Sequence, residues 1–141
     1  MRESCAVVVD VGKTLAKVSL WSADGRMLDR QVRPNQFCGL DGIARLDARG
    51  IAAWLPGALA RYAQHPVAAI IPVAHGAGIV AIREGELAFP PLDYEAEPPP
   101  EIRRAYRAER DPFHLTGSPA LPAGLNLGAQ LYWLEQRDPV R

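Results

Sequence analysis

The sequence predicts an α/β fold, a mixed sheet with flanking helices, from three observations. Residues 6–32 hold three short stretches of strand character joined by tight turn signals, the pattern of consecutive antiparallel strands. Residues 47–64 place apolar side chains at helical spacing. A further apolar run, Val67 to Val73, follows at once, and strand, crossover helix and strand imply parallel pairing with the opening sheet.

Composition narrows the classes. At 141 residues, 48% hydrophobic and 23% charged, the chain has the size and balance for one ordinary core. Sixteen basic and sixteen acidic residues cancel, which argues against a nucleic-acid partner. Cys5 and Cys38 are too few for a disulfide scaffold, and no leader pattern precedes them, so reduced thiols and a cytoplasmic location are expected. The apolar run at 6–9 is too short to span a bilayer and ends at Asp10, so no membrane partner is expected.

The first strand, Ala6-Val7-Val8-Val9, reads as covered on both faces and ends on Asp10, where an unpaired buried carboxylate would be costly. Gly12 frees the backbone to turn, leaving amide groups, Lys13 and the Thr14 hydroxyl available to phosphate oxygens. Two readings stand: a metal-and-phosphate corner, or an ordinary hairpin turn with Lys13 in solvent. It is not a Walker A loop, because Val7 stands where that motif needs glycine. Ala16 to Trp21 alternates as a half-exposed strand, Asp24-Gly25 turns, and Met27 to Val32 returns. Residues 33–46 read as irregular connection.

Asp47 is placed to cap a helix running to about Gln64, with Ile51, Trp54, Leu55, Leu59 and Tyr62 on one face and Pro56-Gly57 weakening its middle. Pro66 ends it, and Val67 to Val73 reads as a buried strand. His75-Gly76-Ala77-Gly78 follows, which puts His75 at the same sheet end as Asp10, where open α/β folds bind ligands. A turn histidine bonded to nearby backbone is the ordinary alternative. Residues 79–82 and 85–89 look like a hairpin. The Pro-rich stretch 90–100 forms no regular element; it is either a linker or a stiff loop presenting Asp93 as a polar anchor and Tyr94 as an aromatic wall. Glu101 to Glu109 reads as a solvated charged helix and 111–119 as loop. Pro122 opens a last helix, with Leu127, Leu131 and Leu134 on one face, and Pro139 stops it.

In this order the features resemble the N-terminal part of the FGGY carbohydrate kinases, most of all their deoxysugar and ketose kinases. Asp10-Val11-Gly12-Lys13-Thr14 is similar to that family's first phosphate motif, and Ala74 to Gly78 to its sugar-approaching segment. Pro90 to Glu95 resembles its Pro-rich sugar loop, and Thr116 to Pro119 with Leu131 to Leu134 its Thr-Gly loop and following helix. The resemblance implies the ribonuclease-H-like fold of actin and hexokinase. Residues 1–141 would be part of the first lobe: a phosphate-binding hairpin at 6–32, a crossover helix at 47–64, sugar-side segments at 73–95 and a C-terminal helix at 122–137.

It further implies ATP-dependent phosphorylation of a sugar hydroxyl. Asp10 would hold Mg²⁺ through water; Gly12, Lys13 and Thr14 would meet the ATP phosphates; His75, Gly76 and Asp93 would lie near the sugar. The general base and the adenosine site would lie beyond residue 141, so the 141-residue chain alone is expected to be catalytically weak or silent. The partners are then sugar, ATP, and either a C-terminal half or a second copy meeting exposed apolar surface. The alternative is a non-catalytic remnant serving as a binding module.

Overall fold

The computed structural model describes residues 4–40 and 42–137, so the Pro139 stop lies outside the described residues. Strands β1 (Cys5–Val11), β2 (Leu15–Ser22) and β3 (Met27–Pro34) form the expected antiparallel meander. Helix α1 (Ala48–Ala60) crosses over, and β6 (Val67–Ala74) returns parallel to β1, giving the sheet order β3-β2-β1-β6. Between β3 and α1 lies a short hairpin, β4 (Cys38–Leu40) and β5 (Ile43–Arg45). After β6 come the two-residue strands β7 (Ile82–Arg83) and β8 (Glu86–Leu87), then α2 (Pro100–Glu109), the single turn α3 (Phe113–Thr116) and α4 (Leu127–Arg137).

One face of the sheet carries the core. Cys5, Val7 and Val9 of β1 and Val18 and Leu20 of β2 pack with Ala58 and Tyr62, flanked by Trp54, Leu55 and Leu59 of α1. Tyr62, 2% exposed, also donates its hydroxyl to the Val18 carbonyl at 3.3 Å. Burying a side chain of this size is worth about 1.5–3 kcal/mol. Asp47 caps α1 as the sequence predicts, its Oδ1 accepting the Gly50 N–H at 3.0 Å. The helix runs through Pro56 but ends at Ala60, short of Gln64; successive tight turns then carry Tyr62 back under the sheet.

Several expectations are corrected. β1 is packed on one face only: Val7 and Val9 are buried, whereas Ala6 and Val8 are half-buried. β6 is an exposed edge, with Ile70, Ile71 and Val73 all about half exposed, while Val67 at its start packs against the core that α1 covers. The Gly12 N–H donates to the Leu15 carbonyl, which turns the main-chain groups of Ala6, Val8 and Asp10 to β2 and those of Val7, Val9 and Val11 to β6. Pro72 lies opposite Val9, so its backbone faces the open edge and its missing N–H breaks no ladder bond.

Residues 33–46 are not wholly irregular: β5 anchors the Pro-rich loop. Leu46 N–H donates to the Pro91 carbonyl, Asp93 N–H to the Ala44 carbonyl, and the buried Arg45 guanidinium to the Pro90 carbonyl, all at 2.9–3.0 Å. α3 gives 111–119 one helical turn, closed by Gly117 at φ 65°. α4 starts at Leu127 rather than Pro122, since 122–126 turns through Ala123 at φ 51°. No described helix is long and apolar enough to cross a membrane.

Candidate functional site

The β1–β2 tip is the centre of the site. A Cβ on Gly12 would lie 2.9 Å from the Leu15 carbonyl oxygen, so glycine is what lets the turn close this tightly. The Gly12 N–H is spent on Leu15, but the amides of Lys13 and Thr14 and the Thr14 hydroxyl have no hydrogen-bond partner among the described residues. Thr14 is exposed. Asn35, just past β3, pins the tip from behind: its Nδ2 donates to the carbonyls of Gly12 at 2.8 Å and Lys13 at 3.2 Å, and its own N–H donates to the Thr14 carbonyl at 2.9 Å. With the carbonyls held inward, the open amides face out, a fit for phosphate oxygens.

Asp10 lies two residues before the turn, opposite Lys17 in the β1–β2 register, and its Oδ2 accepts the Lys17 ammonium at 2.9 Å. Both side chains are about a third exposed, so the pair is held in place without being sealed from solvent. Sequence reasoning missed Lys17, although lysine seven residues after a hairpin carboxylate with a tight turn between falls directly across the ladder.

The second wall comes from β6 and the Pro-rich loop. Val11 pairs with Ala74, so His75 emerges beside Gly12, at the same sheet end as Asp10. His75 does bond nearby backbone, its Nδ1 accepting the Ala77 N–H at 3.1 Å. With Nδ1 occupied as an acceptor, Nε2–H is the ring's remaining donor. The imidazole also stacks on Tyr94, with centroids 4.4 Å apart and planes 11° from parallel. Burial pushes the Tyr94 phenol up, with the Glu95 charge adding to it, so Tyr94 stays neutral. The His75 turn is held from behind by the buried Gln130 of α4, whose Nε2 donates to the carbonyls of Ala77 at 2.8 Å and Gly124 at 2.6 Å.

Lys13 is turned to this wall. Its Nζ lies 3.0 Å from Asp93 Oδ2 and donates to Glu95, with the rings of Phe37 and Tyr94 at 5.6 and 5.9 Å. Asp93 is buried, and its Oδ1 accepts the Glu95 N–H at 2.9 Å. Burial pulls the Lys13 ammonium down, but the hydrogen bonds and charges of Glu95 and Asp93 outweigh it, and its pKa lies above the usual lysine value.

A cavity of about 290 Å³ opens between these walls, lined by Gly12, Lys13, His75 and Tyr94 and floored by Ile51 and Leu55 of α1. Of the residues singled out in the sequence, Gly12, Lys13 and His75 line it; Asp93 stands behind Lys13, while Asp10, Thr14 and Gly76 lie off it. Among the described residues no three His, Cys, Asp or Glu side chains gather as a metal cluster. Asp10 Oδ1 has no partner among the described residues. Mg²⁺ takes one or two carboxylates and completes its shell with water and phosphate, so a carboxylate beside open amides fits it.

An antiparallel meander, a crossover helix and a parallel return, with the candidate site at one sheet end, make up a ribonuclease-H-like fold, which solved carbohydrate kinases share. Over 99% of its length the chain is 58% identical to a carbohydrate kinase from Novosphingobium aromaticivorans, with a TM-score of 0.91. A ligand-bound xylulose kinase from Lactobacillus acidophilus shares the fold over 95% of the chain at 16% identity and a TM-score of 0.76. Glycerol kinase from Plasmodium falciparum, solved with ADP, shares it over 98% at 11% identity and a TM-score of 0.72. The chain spans about 30% of the length of each of the first and third, and 29% of the second. Neither a protein-family model nor a curated protein matches it. Over nearly its whole length the chain is thus similar to part of a carbohydrate kinase, and the FGGY-type pattern of its sequence fits that likeness.

Proposed function

We propose that residues 1–141 form the phosphate- and sugar-facing part of an ATP-dependent carbohydrate kinase acting in the cytoplasm. The observation that carries this reading is the hairpin tip: unpartnered amides at Lys13 and Thr14 just past the partly exposed Asp10 carboxylate, on a turn whose Gly12 and Lys13 line one cavity with His75 and Tyr94. Phosphoryl transfer is chiefly a task of positioning and charge stabilisation, and these are the groups that position. When bound, MgATP supplies the phosphoryl group and the metal offsets its charge. Asp10 holds the hydrated metal, and Lys17 keeps that carboxylate in place. The tip amides and the Thr14 hydroxyl donate to phosphate oxygens. His75 Nε2–H donates to a sugar hydroxyl, and the flat His75–Tyr94 stack supports the sugar ring. No residue of 1–141 is assigned the proton from the attacking hydroxyl, a role that falls to the remainder of a kinase of this family.

The exposed β6 edge supports a second element of the proposal, that this surface packs against further polypeptide, either the rest of a kinase lobe or a second copy. The reading is tested with the intact protein. Asp10→Ala is expected to lower MgATP-dependent phosphorylation by about two orders of magnitude or more, the usual loss when a charge-stabilising group is removed. Full activity in that variant would refute the role given to Asp10.

A further inference from the structure

Lys13 sits at the tip that offers amides to phosphate, yet its side chain is committed elsewhere. Two of the three ammonium protons serve Asp93 and Glu95, carboxylates some 80 residues further along the chain and two apart in the Pro-rich loop. The side chain is 18% exposed and Asp93 only 7%, so drawing Lys13 away would strand a buried carboxylate without its counter-charge. Two carboxylates around one ammonium leave a local net charge of about −1, which repels phosphate oxygens. Phe37 and Tyr94 close over the remaining face of the ammonium.

We propose that the Lys13 side chain is a positioning group of the sugar site: its ammonium clasps Asp93 and residues 93–96 to the hairpin tip and is not a phosphate ligand, whereas the Lys13 backbone amide remains open to phosphate. This rests on the carbohydrate-kinase reading. The clasp acts on the loop that presents Tyr94, and so on the His75–Tyr94 stack against which the sugar lies. The same neutralisation leaves no surplus positive charge on this wall, which suits an uncharged polyol or ketose better than a sugar acid.

Lys13→Ala in the intact kinase separates the two roles. By calorimetry, MgADP affinity is expected to stay within about twofold, while amide exchange at Glu95 and Ala96 speeds up about tenfold or more as the loop is released. The KM for neutral ketoses or polyols is expected to rise about tenfold with the KM for MgATP little changed. Glu95→Gln leaves the buried Asp93 pair intact and is expected to show the same pattern more weakly, which covers the event that Lys13→Ala does not fold. A tenfold loss of MgADP affinity with exchange at Glu95 and Ala96 unchanged would overturn the proposal. Faster phosphorylation of gluconate than of every neutral sugar tested would overturn the charge argument. If no sugar is phosphorylated at all, the kinase reading fails, while the MgADP and exchange measurements still decide what Lys13 does.

Discussion

Replacing Asn35 with alanine removes the strut behind the hairpin tip while leaving the strands untouched. Three bonds go: Nδ2 to the Gly12 carbonyl at 2.8 Å, Nδ2 to the Lys13 carbonyl at 3.2 Å, and the Arg33 guanidinium to Oδ1 at 2.9 Å. An intramolecular hydrogen bond contributes about 1 kcal/mol net, and the longer one contributes less. Arg33 keeps its 2.6 Å contact with Asp47, and Gly12 and Lys13 are only partly buried, so water partly replaces what is lost. The sum is about 1–2.5 kcal/mol. Urea unfolding at unchanged m-value reads it directly. Asn35→Asp is the sharper variant, because it keeps an acceptor for Arg33 but points a carboxylate at two carbonyls. It is expected to destabilise at least as much as alanine. Both variants should also weaken MgADP binding several-fold, since the amides of Lys13 and Thr14 lose their fixed direction. An Asn35→Asp variant as stable as the original, or a loss below about 0.5 kcal/mol for Asn35→Ala, would show that the tip holds itself.

Two more predictions concern the frame around the site. Burial raises the Asp47 pKa, but hydrogen bonds from Arg33, the Gln36 and Gly50 amides and the Arg33 charge outweigh it, holding the carboxyl below the usual carboxylate range. A folded-state pKa below the unfolded value means stabilisation present above about pH 4 and lost as pH falls through the depressed value. Asp47→Ala should therefore cost about 2–4 kcal/mol at neutral pH, from the lost cap and the stranded Arg33, and should flatten the acid limb of a stability–pH curve; an unchanged limb would refute it. The 141-residue chain by itself is expected to self-associate through β6, and Ile71→Lys to weaken this on the order of tenfold by placing a charge in the apolar contact; concentration-independent sedimentation of the unmodified chain would refute it.

What was legible in the sequence is what local chemistry dictates. The Gly12 and Asp24-Gly25 turns announce the meander, Asp47 announces the start of α1, and strand, helix and strand announce the parallel return. The short β4–β5 hairpin was not legible, because its function is to bind the Pro-rich loop more than forty residues away, through Arg45 and Pro90. The exposure of β6 was partly legible: an alanine, isoleucine and valine run reads as buried, but Pro72 inside it is the mark of an edge strand. At the site, the residue types and their shared sheet end could be read. The direction of Lys13 could not, since Glu95 stands 82 positions further along the chain and no local rule joins them. Asn35 and Gln130 hold backbone carbonyls that folding brings near them, so no motif marks them.

Pro72 has a consequence for the chain before assembly. An open strand rich in isoleucine and valine is a template on which another extended segment can add, by the same main-chain bonding that builds fibrils. Such addition needs an unbroken row of outward donors. Pro72 faces outward and has none, so the row is interrupted between the amides of Ile70 and Ala74. The exposed edge thus carries its own gatekeeper, and replacing Pro72 with a residue that restores the donor would complete the row and remove that protection from a newly made chain.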